Sequence, residues 1–349
     1  MASLPLPILL GVFAAAAVVI WVAGVQLSRS TDVIDDHFGL GQALGGLILL
    51  AVATNLPEIA IISTAAVRQN FDIATGNVLG GIAIQTVVLV ILDGAGVPRR
   101  PLTFVTASLV QVLEGSLVIA VLAVAVIATI LPGSLVIARI DPSALLILLF
   151  WVGGLYLVRR AAKSLPWKTE RAAADPDAAR RKRARAQKQQ RSIGVVLAIF
   201  AVGAVATLVA GVAAEESGNA IADAIHLNGA LFGGTVLAAA TALPEVSTGL
   251  AAVKIEDYEL AMSDIFGGNA FLPVLFFPAT LLAGTTVLAK AQKTDVFLAV
   301  LGMLLTSIYV GGLVFRPKRQ FLRLGPDSLI VLVLYVIGIA GLALVDRGS

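Results

Sequence analysis

Two acidic residues, Glu58 and Glu245, stand in the middle of long apolar runs. Each closes the same pattern, Thr54-Asn55-Leu56-Pro57-Glu58 and Thr241-Ala242-Leu243-Pro244-Glu245. An acid at the centre of a bilayer costs about 2.5–3.5 kcal/mol on insertion scales, so such a side chain faces a protein interior or a wet cavity. The proline before each glutamate has no N–H to give the carbonyl of Ala53 or Ala240, and its ring crowds that carbonyl. Each helix is therefore expected to kink or break there, leaving carbonyl oxygens beside the carboxylate. Thr54 and Thr241 lie one turn earlier on the same face. Carboxylate, hydroxyl and carbonyl oxygens together are hard ligands suited to Ca²⁺ or Na⁺. A pair of protonated, hydrogen-bonded structural acids would use the same residues, but it would have to occur twice at equivalent places.

Further polar groups follow each motif. Asn77, Gly81 and Gln85 are spaced by four and form one stripe on a helix. The matching stripe in the second half is Asp264, Gly268 and Leu272, with Asn269 beside it. Helix–helix hydrogen bonding and ion contact are both open for Asn77 and Gln85. Asp264 is read as a site residue, because a third buried carboxylate needs a reason. Asp93 and Glu114 stand nearer the ends of apolar runs and are read as interfacial.

These residues belong to an internal repeat. Shifted by 187 residues, Gly45–Gln85 aligns with Phe232–Leu272 without a gap. Gly46 meets Gly233, Thr54 meets Thr241, Leu56-Pro57-Glu58 meets Leu243-Pro244-Glu245, Ala74 meets Ala261, and Gly80-Gly81 meets Gly267-Gly268. Upstream, Ser30 and Asp36 meet Ser217 and Asp223.

The elements that must position them are membrane spans. The chain is 58% hydrophobic and 13% charged, against roughly 25% charged in soluble domains, so lipid must be its outer solvent. Spans of about 20 apolar residues are expected near 6–28, 39–66, 72–93, 104–131, 141–159, 192–214, 227–253, 259–287, 294–315 and 327–345. Transmembrane strands would be half as long and alternating. The N-terminal run lacks a basic flank and reads as a retained span, not a cleaved signal.

The long polar stretch 159–191 carries 12 of the 25 Lys and Arg residues. It divides an all-α membrane protein into 1–160 and 192–349, two five-helix repeats with cores at 39–93 and 227–287. It reads as a solvated cytoplasmic loop, with anionic-lipid contact a lesser reading. Placing it in the cytoplasm also puts Arg29, Arg99, Arg100, Lys254, Arg316, Lys318, Arg319 and Arg323 inside. Only Arg68, Arg139, Lys290, Lys293 and Arg347 are then left outside. Both termini fall outside, and an odd number of spans per half gives the halves opposite polarity. That inverted-topology plan is one that secondary transporters use, with sites near the midplane.

At the quoted motifs the sequence resembles the calcium/cation antiporter superfamily, which includes the sodium/calcium exchangers. Its repeats read G-T-S-L-P-E and, some twenty residues on, G-N-x-x-G-S-N. Here they read A-T-N-L-P-E (53–58) with G-N-V-L-G-G-I (76–82), and A-T-A-L-P-E (240–245) with S-D-I-F-G-G-N (263–269). The resemblance implies that Glu58 and Glu245 bind the transported cation. It carries a supporting role to Thr54, Thr241 and Asn77, while Asp264, Asn55, Gln85 and Asn269 and the positions of Ala51 and Ala238 are further candidate ligands. Serines of the family pattern are Asn55, Ala242, Gly81 and Gly268 here, and Leu272 stands where a polar residue is common, so several hydroxyl ligands are missing.

The expected function is a secondary antiporter moving a cation, Ca²⁺ first, against Na⁺ or H⁺ by alternating access at the cell membrane. A monovalent cation/proton exchanger is the alternative, and a channel is less favoured. The chain has no Cys and only His37 and His226, and no phosphate loop, HExxH or nucleophile–base pattern. Neither an enzyme nor a resident cofactor is expected, and the partners are lipid and inorganic cations, not nucleic acid.

Overall fold

The structure is a computed structural model and describes residues 4–38, 49–96, 100–106, 108–131, 139–164 and 192–347. Most of the basic loop, and the stretch 39–48 with Gly45 and Gly46, lie outside the described residues. The described residues form helices and no strands.

Among the described residues seven helices are long and apolar enough to cross a membrane, or eight if the bent pair Gly229–Thr241 and Leu243–Lys254 is one span. The first half contains α1 (Leu6–Phe38), α2 (Leu50–Thr54), α3 (Leu56–Arg68), α4 (Asp72–Gly96), α5 (Leu102–Thr106), α6 (Leu109–Ile130) and α7 (Pro142–Ser164). The second contains α8 (Ile193–Ala224), α9 (Gly229–Phe232), α10 (Ala238–Thr241), α11 (Leu243–Lys254), α12 (Tyr258–Phe271), α13 (Phe276–Ala283), α14 (Lys293–Phe315) and α15 (Pro326–Arg347). Of the ten expected spans, α2–α3 is the described part of the second. Within α15, the stretch Pro326–Leu342 is apolar but shorter than the other spans.

Helices α1 and α8 run past the expected ends at 28 and 214, to Phe38 and Ala224, and two further spans differ from expectation for local reasons. The fourth does not run from 104 to 131, because Ser108 caps a new helix by accepting from the N–H of Val110 at 3.3 Å. The preceding helix α5 is pinned by the N–H of Leu102 donating to Asp93 at 2.7 Å. The eighth is tightened into a 3₁₀ turn at Leu272–Leu275, where Pro273 stands. It ends at Ala283, since Gly284 takes φ +71°, a left-handed stop that glycine adopts without strain.

The halves interlock. Helix α1 packs along α8, α3 against α8, and α11 against α1, while α4 takes α9–α11 on one side and α14 on the other. Small residues permit this: a Cβ on Gly76 would fall 2.7 Å from Ala230 Cα, and one on Gly80 would fall 2.7 Å from the Gly234 carbonyl oxygen. Backbone thus meets backbone between halves, the kind of close approach that lipid-embedded helices use.

Candidate functional site

Both T-x-L-P-E segments break their helices as the proline chemistry requires. Helix α2 ends at Thr54 and α3 begins at Leu56, with Pro57 in its first turn. Helix α10 ends at Thr241 and α11 begins at Leu243, with Pro244 in its first turn. The second break bends the span by 41°. Each glutamate therefore starts a new helix, where orphan backbone N–H groups favour negative charge.

Glu58 and Glu245 are each 0% exposed, and none of their four carboxylate oxygens has a hydrogen-bond partner in the protein. They lie near enough to each other, and Glu245 to Asp264, for their charges to interact. The threonines are exchanged between halves: Thr241 approaches Glu58 and Thr54 approaches Glu245. The Thr241 hydroxyl is also 3.4 Å from Asn77 Oδ1. The carbonyls of Ala51 and Ala238 are used alike. Ala51 accepts from the Asn55 N–H at 3.1 Å, and Ala238 from the Ala242 N–H at 3.0 Å. Ala51 accepts further from the Asn55 amide at 2.7 Å, leaving Asn55 Oδ1 without a partner.

The two flanks of this centre differ. A Cβ on Gly268 would sit 3.2 Å from Asn55 Nδ2 and 3.6 Å from Gln85 Oε1, whereas one on Gly81 would meet only Leu272 Cδ1, at 3.6 Å. Amide groups thus crowd one missing serine position and a methyl the other. Gln85 is fully buried with neither polar atom paired. Asn269 instead cross-links α12 to α4, donating to Thr86 at 3.2 Å and to the Ile82 carbonyl at 3.5 Å. Asp264 accepts from the Thr248 hydroxyl, a residue the motif reading passed over. Among the described residues no three acidic or imidazole side chains cluster as a metal-holding group.

Asp93 and Glu114, expected near the interface, are both buried by neighbouring segments. Asp93 accepts from the N–H groups of Leu102 (2.7 Å) and Gly325 (2.6 Å) and from Ser328 Oγ (2.7 Å), tying three segments together. Depth along one helix does not reveal which neighbours cover it sideways.

Sequence reasoning also missed the glycines behind the prolines. Pro244 lies against Gly24 of α1, and Pro57 against Gly211 of α8. The two glycines are themselves 187 residues apart, so the same offset that paired the glutamates could have found them. A Cβ on Gly24 would stand 2.6 Å from the Pro244 ring, and one on Gly211 would stand 2.9 Å from the Pro57 carbonyl oxygen. Gly24→Val and Gly211→Val are expected to displace the adjoining Pro-Glu segment, at an overpacking cost of about 1–3 kcal/mol, and so to weaken cation binding at the two glutamates by about tenfold. Cation titration of the purified, folded variants checks this, and wild-type binding would disprove a positioning role.

The sodium/calcium exchanger protein family model matches residues 8–160 and 195–343. The chain is 27% identical over 302 residues to inner membrane protein YrbG of Escherichia coli (strain K12), covering 84% of this chain and 85% of that one. It is 26% identical over 283 residues to the putative antiporter CaxA of Alkalimonas amylolytica, covering 79% and 82%. Two solved structures share the fold. One is the H⁺/Ca²⁺ exchanger CAX, with TM-score 0.68, 13% identity, and 97% and 85% coverage. The other is the sodium-calcium exchanger NCX_Mj soaked with 10 mM Na⁺ and no Ca²⁺, with TM-score 0.59, 16% identity, and 96% and 99% coverage.

Proposed function

This chain belongs to the sodium/calcium exchanger protein family, a family of membrane ion exchangers and not enzymes, and on that premise we propose that it exchanges Ca²⁺ for Na⁺ or H⁺. Glu58 and Glu245 are the primary ligands, at a site between two five-helix halves of opposite polarity. The observation that carries this reading is the pair of fully buried carboxylates whose oxygens take no hydrogen bond from the protein. Unpaired charges there are costly on their own and become favourable when a cation bridges them. Thr54, Thr241, Asn77, Asp264, Asn55 and Gln85 supply further oxygens, with the carbonyls of Ala51 and Ala238 at the helix breaks, while Asn269 holds α12 on α4.

Because the same carboxylates bind either ion, one must leave before the other enters, and the site opens to one face at a time. The excess of Lys and Arg in loop 159–191 supports an orientation with that loop in the cytoplasm, where it can meet anionic lipid, and both termini outside the cell membrane. A second reading, exchange of a monovalent cation for protons, is favoured by one contact. The approach of Leu272 to Gly81 puts carbon where a Na⁺-binding oxygen could otherwise stand.

Vesicles containing the purified protein separate the two. Ca²⁺ uptake is measured under an imposed Na⁺ gradient and, separately, under a pH gradient. Uptake under either supports Ca²⁺ exchange and names the counter-ion. No Ca²⁺ movement under both refutes it in favour of the monovalent reading, and flux independent of any counter-ion points to a channel.

A further inference from the structure

Glu114 of α6 is 3% exposed, yet its Oε1 has no partner. Its Oε2 accepts from Ser263 of α12 at 2.8 Å. The Ser263 hydroxyl in turn accepts from the amide of Gln111 at 3.1 Å. Gln111 is 2% exposed and its Oε1 is also unpaired. Gln111 and Glu114 are one turn apart on the same face of α6. The three side chains thus form one chain of hydrogen bonds, Gln111 to Ser263 to Glu114, that leaves the Oε1 atoms of Gln111 and Glu114 without partners, at a place the motif residues do not occupy.

Its position is informative. Glu114 lies five residues into α6, and Ser263 five residues into α12, about 8 Å from either helix start. One turn nearer the end is Glu259, exposed and close enough to Glu114 for their charges to interact. Deeper in, Asp264 follows Ser263, and one further turn brings Gly268 with Asn55 and Gln85 against it. Glu259, Ser263 and Asp264 thus follow one another along α12 from an exposed end inward, Ser263 bonded to Glu114 and Asp264 to Thr248. The first half has no copy of this arrangement. At the 187-residue offset, Gln111, Glu114 and Ser263 correspond to Leu298, Leu301 and Gly76.

We propose that Glu114, Gln111 and Ser263 form a separate cation-binding station on one side of the membrane only, where the transported ion rests on its way between that side and Glu245. This succession starts beside the turn joining Lys254 to Tyr258, on the side that the charge distribution supports as cytoplasmic. The ligand is a small hard cation, since every group offered is a carboxylate, amide or hydroxyl oxygen. This inference rests on the exchange reading above.

The test compares Ca²⁺ exchange in everted and right-side-out vesicles carrying wild-type protein or Glu114→Gln. Removing one charged ligand is expected to raise KM for Ca²⁺ arriving from the cytoplasmic face by about tenfold, with KM from the outer face unmoved. Glu114→Asp should recover most of the loss. Equal changes at both faces, or no change at either, overturn the station, because a packing role would not know one face from the other. Should Glu114→Gln fail to reach the membrane, Ser263→Ala and Gln111→Met carry the same comparison.

Equilibrium binding separates this inference from the exchange reading. The Glu58→Gln/Glu245→Gln protein titrated with Ca²⁺ should retain a weak saturable site that disappears when Glu114→Gln is added. A site retained in that variant, together with wild-type protein that moves no Ca²⁺ under either gradient, would uphold the station and sink the exchange reading. No saturable binding in the double variant overturns the station even if the wild type exchanges Ca²⁺.

Discussion

Glu58→Gln and Glu245→Gln are each expected to reduce exchange by more than about a hundredfold and, in the same protein, to raise its melting temperature. The two effects have one cause. Both carboxylates are fully buried and take no hydrogen bond from the protein, and they lie close to each other. Removing one charge from such a pair relieves desolvation and repulsion together. Two like charges a few ångströms apart repel by about 1–4 kcal/mol at an effective dielectric near 20, and that repulsion is what either variant removes. A charged ligand lost from a cation site costs about 1.5–3 kcal/mol for each hydrogen-bond-like contact it made, and a cation bridging two carboxylates loses several. Glutamine keeps the shape and the packing against α8 or α1, so folding is not the casualty. Exchange assayed in vesicles and thermal melting in detergent are both required. Wild-type-like flux in either variant would remove that residue from the site. A melting temperature that falls would show that the carboxylate is held by bonds within the protein and is not waiting for an ion.

An opposition of stability and function is expected wherever a binding site is built from groups a packed core would exclude. The same excess makes the site legible in the amino-acid sequence. Two acids in apolar runs, each behind a proline, can only be tolerated at a shared interior. The helix breaks at Asn55 and Ala242 follow from the missing N–H of Pro57 and Pro244. The 187-residue offset pairs Glu58 with Glu245, and it also contains Gly24 and Gly211, whose role emerges only from the prolines pressed against them.

What is not legible depends on lateral neighbours. Asp93 and Glu114 read as interfacial by depth, yet Asp93 is enclosed by backbone donors from Leu102 and Gly325, and Glu114 is covered by α12. A helical period says which residues share a face. It does not say which distant helix covers that face. The exchange of threonines between halves, Thr241 towards Glu58 and Thr54 towards Glu245, belongs to the same class. So does the π-helical stretch Gly233–Leu237, which lets Gly233 and Gly234 lie against α4.

Asp264→Asn is expected to raise the Ca²⁺ concentration for half-maximal exchange by about tenfold or more when measured from either face. Asn stands at the equivalent place in the first half, as Asn77, and it also restores the amide of the family pattern. The side chain can still accept from Thr248, so shape and hydrogen bonding survive and only charge is lost. A unit charge a few ångströms away, at an effective dielectric near 20, is worth about 1–4 kcal/mol, and more towards a divalent ion than a monovalent one. The variant should therefore bind Ca²⁺ less well while its response to Na⁺ or H⁺ moves less, shifting selectivity away from divalent cations. Thr248→Val, which removes the hydroxyl that orients the carboxylate, should move KM the same way by a smaller factor. The symmetry of the effect between faces is what distinguishes Asp264 from Glu114. A ligand at the centre is felt from both sides, whereas a station on one approach is felt only by ions that use it. An Asp264→Asn protein with unchanged Ca²⁺ dependence would assign this carboxylate to the hydrogen-bonded framework and leave Glu58 and Glu245 as the site's only charges.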